Sequence, residues 1–235
     1  MTHYQILPLT DDFIFELHAE PNNIALSPGL IGEIEAVWAK EQQKQPKIFN
    51  GKILSALTLE NNRLTGAFVD YKIYVAQMRR PDLYPFLKVN PVTISGITIS
   101  GDYILMGQRS ENVLYPLYHE LAPSGGLDPN SLINNKIDVR KQFELELHEE
   151  TGIAPMQVRW IEPFALIIDP KTHTHEICAK ISLDSTPLPD LHYPNQEYQN
   201  LVWVPQNHLP HFIANHHPDN FIELSLFLIQ KFVLE

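Results

Sequence analysis

The chain has 235 residues, 44% of them hydrophobic and 19% charged, so it can bury a substantial core and lacks the composition of a disordered protein. Seventeen lysines and arginines stand against 28 aspartates and glutamates, which gives a formal net charge of -11. This excess of negative charge disfavours a general nucleic-acid binder, because such a protein needs a basic face to neutralise phosphates. An acidic protein that acts on a phosphate compound needs a metal ion to screen the repulsion.

The sequence also bears on compartment. Its single cysteine, Cys178, excludes an internal disulfide and fits a reducing environment. The first residues lack the basic segment and long apolar run of a signal peptide. No apolar run approaches the roughly 18 residues that a membrane span needs. We therefore expect a cytoplasmic protein that has no membrane partner, and the sequence does not indicate its oligomeric state.

The first 90 residues predict a helix followed by a hairpin. Ser27 is placed as an N-cap before a proline, and apolar residues at helical spacing predict a helix over 31–44. The segments 52–59 and 64–71 flank Asn61-Asn62 and predict two antiparallel strands.

A second hairpin and a helix follow. Residues 92–99 alternate in β fashion, Gly101-Asp102 is typical of a turn, and residues 103–108 predict the returning strand. After a break at Ser124-Gly125-Gly126, residues 137–150 predict a helix that ends at Gly152, the residue expected in the left-handed conformation after a helix.

The remainder predicts strands over 158–168 and 175–183, a long loop over 187–200, a short strand over 201–204 and a last helix over 221–232. Strand hairpins interrupted by single helices indicate an α/β (α+β) fold with a mixed sheet, rather than a regularly alternating one. We expect residues 1–90 to form an N-terminal extension packed on a domain of residues 91–235.

The chemistry is concentrated at the end of the helix before Gly152. Glu146, Glu149 and Glu150 lie at i, i+3 and i+4, so they share one helix face and repel one another. Carboxylates are also unfavourable at the negative C-terminal end of a helix. A hard divalent cation such as Mg²⁺ would remove both penalties, because it prefers carboxylate oxygens. The plainer interpretation is a solvated acidic face.

The segment Glu146-Leu147-His148-Glu149-Glu150-Thr151-Gly152-Ile153 resembles the second half of the Nudix box, and Pro123-Ser124-Gly125-Gly126 resembles its opening. The resemblance implies a Nudix α/β/α sandwich in which a loop, a helix and a loop present Mg²⁺ or Mn²⁺ to a diphosphate. It implies that Glu146, Glu149 and Glu150 are metal ligands, together with a backbone carbonyl near Gly125 or Gly126.

The box departs from its consensus in three places. Leu145 stands where the box has an arginine that normally orients the glutamates, and Ile137 stands at the upstream glutamate position. The stretch from Gly126 to Glu146 is longer than in the consensus. These departures favour an alternative, a Nudix-fold binding module that has lost catalysis.

A second resemblance refines the expected substrate. The N-terminal extension and the segment 68–74 are similar to the divergent Nudix subfamily that hydrolyses UDP-glucose and UDP-galactose, whose box is also irregular, and the likeness runs from about residue 31 to 183. It implies a small-molecule nucleoside diphosphate substrate and the products UMP and sugar 1-phosphate. A Nudix enzyme for ADP-ribose, a dinucleotide or CoA is the alternative within the enzyme class.

Several further residues are candidates for catalysis or substrate binding. Besides Glu149 and Glu150, the later glutamates Glu176 and Glu197 are candidate bases. Arg109 and Arg80 are candidate phosphate ligands, because guanidinium groups suit phosphate geometry. Tyr71 is a candidate for stacking on the uracil ring, although packing in the core or on the surface is the more common role of a tyrosine. Gly125 and Gly126 complete the set of candidate substrate-binding residues.

Overall fold

The computed structural model describes residues 3–18, 26–46, 48–111, 113–134, 136–184 and 188–234. In chain order its strands are β1 Gln5–Pro8, β2 Ile14–Leu17, β3 Lys52–Glu60, β4 Arg63–Asp70, β5 Val92–Ser100, β6 Tyr103–Arg109, β7 His119–Leu121, β8 Ser124–Gly126, β9 Leu132–Ile133, β10 Lys136–Ile137, β11 Val158–Asp169, β12 Thr174–Leu183 and β13 Tyr198–Pro205. Its α-helices are α1 Pro28–Lys44, α2 Tyr71–Arg79, α3 Tyr84–Leu87, α4 Val139–Thr151, α5 Leu209–His216 and α6 Glu223–Phe232.

The strands form mixed sheets. The largest sheet has the order β1-β11-β12-β5-β6-β13, with β7 paired to β6 and β8 paired to β5. A three-stranded sheet has the order β2-β4-β3, in which β2 is parallel and β3 antiparallel to β4, and β9 pairs with β10. The predicted α/β class with a mixed sheet is confirmed.

The chain divides into two compact units. Unit 1 comprises Met1–Thr93, Gly126–Gln142 and Phe164–Ile177, and unit 2 comprises Ile94–Gly125, Phe143–Pro163 and Cys178–Glu235. In unit 1, apolar side chains from α1, α2 and the residues around them form a core cluster of Ile34, Val69, Ile73, Ala76, Leu83, Leu87 and Val89. In unit 2, β6 lies between β7 and β13. The proposed domain boundary near residue 90 stays a prediction.

Local sequence signals account for much of the observed structure. Ser27 is the N-cap of α1, and its hydroxyl oxygen accepts a hydrogen bond from the Leu30 N–H at 3.3 Å. Asn61 and Asn62 have φ angles of 50° and 56°, the conformation of a tight turn between two antiparallel strands. The hairpin of β5 and β6 is also present. These three predictions are confirmed.

Other boundaries differ from the prediction. Helix α4 begins at Val139 and not at Ile137, because the Asp138 carboxylate accepts a hydrogen bond from the Lys141 N–H at 3.0 Å just ahead of the helix. Ile137 belongs to β10, and Ser124–Gly126, expected to break the chain, forms β8.

The C-terminal part differs too. Strand β13 begins three residues earlier than predicted, at Tyr198, which pairs with Arg109, so the preceding loop is shorter than expected. Residue 187, the first of that predicted loop, lies outside the described part of the chain. The last helix begins at Glu223, after a separate 3₁₀ turn over Pro218–Asn220. Sequence patterns did not predict α5, β1 or β2.

Across the described ranges, none of the helices combines the length and apolar character needed to cross a membrane.

Candidate metal and active site

The acidic turn lies at the C-terminal end of α4, in unit 2. Phe143 and Leu147 are completely buried and hold the helix against the core, while Glu149 is exposed. Gly152 has a φ of 79° and donates its N–H to the His148 carbonyl at 2.9 Å, which ends the helix as the sequence predicts. The helix therefore stops directly after the carboxylates.

Glu150 is the most unusual member of this turn, because its side chain is only 4% exposed. Its Oε2 accepts a hydrogen bond from the Ser124 N–H at 3.1 Å. Burial raises the pKa of the Glu150 carboxyl well above its ordinary value, and the negative charges of Glu146 and Glu120 raise it further. Its ionised form therefore requires a positive charge nearby.

Glu146 is packed against the glycine loop. A Cβ built on Gly125 would lie 2.4 Å from Oε1 of Glu146, far inside van der Waals contact. Only a glycine leaves room there for the carboxylate to approach the backbone. The Nudix-like glycine at position 125 and the glutamate at position 146 are thus in direct contact.

A fourth glutamate, Glu120 in β7, lies beside Glu150 and was not a sequence-based candidate. It is 3% exposed, and its Oε1 accepts a short hydrogen bond from Nη1 of Arg109. Arg109 also donates its Nε–H to the Leu114 carbonyl at 2.8 Å. Although burial alone would lower the pKa of Arg109, the charge of Glu120 raises it, so the net shift of the guanidinium is upward.

Tyr198 joins the two buried glutamates. Its hydroxyl lies 3.1 Å from Oε1 of Glu120 and 3.4 Å from Oε2 of Glu150. Burial raises the pKa of this completely buried phenol, and the two carboxylates raise it further, so it remains a hydrogen-bond donor. Its ring lies flat enough on β6 that a Cβ on Gly107 would come within 2.4 Å of it.

Asn195 ties the segment before β13 to the end of α4. Its Oδ1 accepts hydrogen bonds from the N–H groups of Glu197 and Tyr198, at 2.9 and 2.7 Å. Its Nδ2 donates to the carbonyl of Glu150 at 2.6 Å and to that of His192 at 2.8 Å. This single amide fixes both the helix end and the residues that face it.

Glu197, a predicted base, has 46% of its side chain exposed, unlike the buried Glu120 and Glu150. Its Oε2 is 3.9 Å from Nη2 of Arg109. Partial burial raises the pKa of the Glu197 carboxyl. The positive charge of Arg109 lowers this pKa and the negative charge of Glu120 raises it, and the net result is a pKa above the ordinary value. A carboxylate with a raised pKa near solvent has the properties of a proton acceptor.

Four other candidates belong to unit 1 and have contacts of their own there. Glu176 is buried and accepts a short hydrogen bond from Thr93. Arg80 is exposed and bonds Asp82 through two nitrogens, at 2.9 and 2.7 Å. The Tyr71 ring packs edge-on against Trp38, as the packing interpretation anticipated.

Gly126, the fourth of these, accepts a hydrogen bond at its carbonyl from Nε2 of Gln142 at 3.2 Å. The residues that unit 2 brings together are therefore Glu146, Glu150, Glu197, Arg109 and Gly125, with the exposed Glu149 on the same helix turn. The roles predicted for all of these residues stay predictions.

Sequence patterns missed Glu120, Ser124, Asn195 and Tyr198. The available signal for Glu120 was a charged residue in the apolar context Leu121-Ala122, just ahead of the Pro-Ser-Gly-Gly turn. For Asn195 and Tyr198 the signal was their proximity in sequence to Glu197, a weak indication because the segment around them is polar.

The donor set suits Mg²⁺ or Mn²⁺, which prefer carboxylate and carbonyl oxygens. Within the described parts of the chain, no three or more His, Cys, Asp or Glu side chains stand close enough together to hold a metal ion unaided. Mg²⁺ is commonly bound through one or two carboxylates, with waters and substrate phosphates as its other ligands. The buried, anion-surrounded Glu150 and the Gly125–Glu146 contact fit that kind of incomplete protein site.

No protein-family model and no curated protein matches the chain. Among solved structures, it is similar to the Nudix domain of NrtR from Shewanella oneidensis in complex with ADP ribose, at 16% identity, covering 66% of this chain and 92% of that one, with a TM-score of 0.46. It is also similar to a protein from Deinococcus radiodurans, at 14% identity over 60% and 82% of the two chains, with a TM-score of 0.46.

A third similar structure is a bifunctional NMN adenylyltransferase/ADP ribose pyrophosphatase from Francisella tularensis, complexed with AMP and a manganese ion. The identity is 25%, the TM-score is 0.45, and the match covers 66% of this chain. The chain spans 46% of the length of that protein. These scores are low, so the functional proposal depends on the residues of the site itself.

Proposed function

We propose that the chain is a Nudix-type pyrophosphohydrolase that uses Mg²⁺ or Mn²⁺ to hydrolyse the diphosphate bond of a nucleoside diphosphate sugar. The observation that carries the proposal is Glu150, a carboxylate that is 4% exposed and has carboxylates as its charged neighbours. A protein gains nothing in stability from such an arrangement. A site that binds a divalent cation explains it.

Glu146, Glu149 and Glu150 would hold the ion, with the backbone at Gly125 beside Glu146. When bound, the ion neutralises diphosphate oxygens and lowers the pKa of a water molecule. Glu197 would accept a proton from the attacking water, since its raised pKa and 46% exposed side chain suit it to proton transfer. Water and UDP-glucose would give UMP and glucose 1-phosphate.

UDP-glucose and UDP-galactose are the first candidate substrates because the segment 68–74 and the N-terminal extension are similar to the subfamily that hydrolyses them. The roles of Tyr71 and Arg80 in binding a uracil ring and a phosphate stay predictions from the sequence. We no longer place Arg109 among the phosphate ligands, because its Nε and Nη1 already bond Leu114 and Glu120.

A binding module without turnover is a second candidate function. It is favoured by Leu145 at the arginine position of the box. Among the described residues, no cluster of three or more His, Cys, Asp or Glu side chains is arranged to hold a metal ion unaided, which also favours this candidate. Such a protein would bind a nucleotide tightly and release no product.

The test is release of UMP from UDP-glucose in Mg²⁺, measured by chromatography for the parental protein and for Glu150→Gln. We expect the variant to be slower by more than about a hundredfold, because even groups that only support metal ligands are worth about 10- to 100-fold. Glu41→Gln removes a buried carboxylate of unit 1 and should keep the parental rate.

Equal rates for the parental protein and Glu150→Gln would contradict the proposed mechanism. Nucleotide binding with no turnover in Mg²⁺ or Mn²⁺ would support the binding module. Rates on UDP-galactose, ADP-ribose, a dinucleotide and CoA, measured side by side with UDP-glucose, identify the substrate class.

A further inference from the structure

Leu145 leaves open how the glutamates of α4 are held in place. An apolar side chain at the box arginine position forms no ion pair with a carboxylate. Glu150 is nevertheless buried in a fixed environment, so other residues must direct its oxygens. Two contacts reach its Oε2 from outside α4, one from the Ser124 N–H and one from the Tyr198 hydroxyl.

The guanidinium of Arg109, which lies beside Glu120, is fixed at two points. Arg109 bonds the Leu114 carbonyl through Nε and Glu120 through Nη1. Its side chain is 16% exposed, and that of Glu120 is 5% exposed, so water competes little for either group. A charge-assisted hydrogen bond of this kind is among the stronger side-chain contacts in proteins.

The Tyr198 hydroxyl transmits this fixed geometry to Glu150. It stands between Oε1 of Glu120 at 3.1 Å and Oε2 of Glu150 at 3.4 Å, and it has one proton to donate. The contact to Glu120, which also accepts from the Arg109 guanidinium, is the shorter of the two, so the hydroxyl is anchored on Glu120 and lies against Oε2 of Glu150. A hydroxyl held against one oxygen of a carboxylate restricts the direction in which the other oxygen points.

The tyrosine itself is held in place through both its backbone and its ring. Its backbone pairs with Arg109 across β13 and β6, and its N–H bonds Oδ1 of Asn195 at 2.7 Å. Its ring occupies the space that a side chain at Gly107 would fill. The hydroxyl therefore has little freedom to move away from the two carboxylates.

We propose that Arg109, Glu120 and Tyr198 form a buried chain of positioning residues that orients Glu150 toward a divalent cation and replaces the missing box arginine. This inference rests on the proposed function, because it concerns how the same metal site is held. It assigns Arg109 to support of the metal site, and it gives Glu120 and Tyr198 a role that the sequence did not suggest.

The test is the dissociation constant of Mn²⁺, measured by the electron paramagnetic resonance signal of the free ion, with no substrate present. Tyr198→Phe removes only the hydroxyl and keeps the ring on Gly107. We expect it to weaken Mn²⁺ binding by about 10- to 100-fold, the usual effect of removing a group behind a metal ligand. Tyr84→Phe is the matched control, since its hydroxyl bonds Asn90 at 3.0 Å in unit 1.

Glu120→Gln is the second variant. It keeps the side-chain volume and breaks the ion pair with Arg109. As a single substitution it should weaken Mn²⁺ binding. Added to Tyr198→Phe it should cause little further loss, because both residues act on Glu150 through the same chain of contacts. Thermal unfolding of each variant without metal identifies any variant that fails to fold. The Mn²⁺ dissociation constant of a variant that does fold then decides whether the positioning chain exists.

Parental affinity in both Tyr198→Phe and Glu120→Gln would overturn the positioning chain while leaving the proposed function intact. Equal loss in Tyr198→Phe and Tyr84→Phe would also overturn it. A parental protein that binds no Mn²⁺ would overturn the metal-dependent function together with the chain. Loss confined to the Tyr198 and Glu120 variants supports the inference.

Discussion

Glu41 in α1 and Glu150 in α4 are both nearly completely buried, at 3% and 4% exposure, yet their electrostatic surroundings are opposite. Glu41 accepts hydrogen bonds from Nζ of Lys44 at 2.9 Å and Nη2 of Arg79 at 2.7 Å. Burial raises its pKa, but these two cations outweigh burial and leave the pKa below its ordinary value. Around Glu150, burial and the neighbouring carboxylates act in the same direction.

The difference is consistent with a structural role for Glu41 and with the metal-binding role that we propose for Glu150. Glu41 has its counter-charges within the chain, so its ion pairs are complete. Glu150 has neutral donors, Ser124 and Tyr198, while the buried guanidinium of Arg109 is bonded to Glu120. Strongly perturbed carboxylates of the second kind cluster at functional sites.

The largest expected effect is an opposite change in stability when each glutamate loses its charge. Without metal, Glu41→Gln should lower the free energy of unfolding by up to about 3 kcal/mol, because breaking a buried pair leaves its partners uncompensated. Glu150→Gln should raise it, because the amide replaces a carboxyl whose pKa is raised in the folded protein by burial and by neighbouring carboxylates. Urea unfolding at neutral pH measures both, and a loss of stability in Glu150→Gln would contradict the comparison.

The next effect is on the pH dependence of those differences. Glu150 has a pKa above its ordinary value of 4.5, so its contribution to stability is present below pH 4.5 and is lost as the pH rises through the raised pKa. The advantage of Glu150→Gln over the metal-free parental protein should therefore grow as the pH rises.

Glu41 should show the reverse trend. Its pKa lies below 4.5, so its contribution is present above that pH and is lost as the pH falls through the lowered pKa. The deficit of Glu41→Gln should shrink in acid. Unfolding free energies of the three proteins across the acid-to-neutral range check both trends, and parallel curves would show that the two environments do not differ as described.

A smaller effect tests whether Glu146 belongs to the same site as Glu150. In Gly125→Ala the new methyl group would meet Oε1 of Glu146 at 2.4 Å, so the carboxylate must move. We expect metal affinity to fall by about tenfold, or about 1.4 kcal/mol. Gly32→Ala is the control, since nothing lies within 4 Å of its added methyl group, and it should leave metal affinity unchanged. Unchanged affinity in Gly125→Ala would exclude Glu146 from the site.

Features that depend on short sequence separations were predictable. The acidic turn, the helix end at Gly152 and the hairpin at Asn61-Asn62 each follow from residues within one or two turns of chain. The start of α4 was placed too early because Ile137 fits the apolar period, whereas the Asp138 carboxylate bonds the helix N-terminus and fixes the boundary.

The support of the site was not predictable, because distant segments assemble it. Glu120 and Tyr198 are 78 positions apart and meet only after β6 has paired with both β7 and β13. They lie on different elements from Glu150, so no helical or strand period relates them to it and no sequence pattern could detect them. The sequence therefore predicts the candidate metal ligands, and the fold indicates which residues contact them.

The most direct test of the account is the number of protons released when Mg²⁺ or Mn²⁺ binds, obtained by calorimetric titration in buffers of different ionisation enthalpy. A metal that displaces the proton of Glu150 must release it to the buffer. The account predicts proton release from the parental protein at a pH where metal-free Glu150 is protonated, and a reduced release or no binding in Glu150→Gln. Metal binding to the parental protein without proton release, or equal release in both proteins, would contradict it.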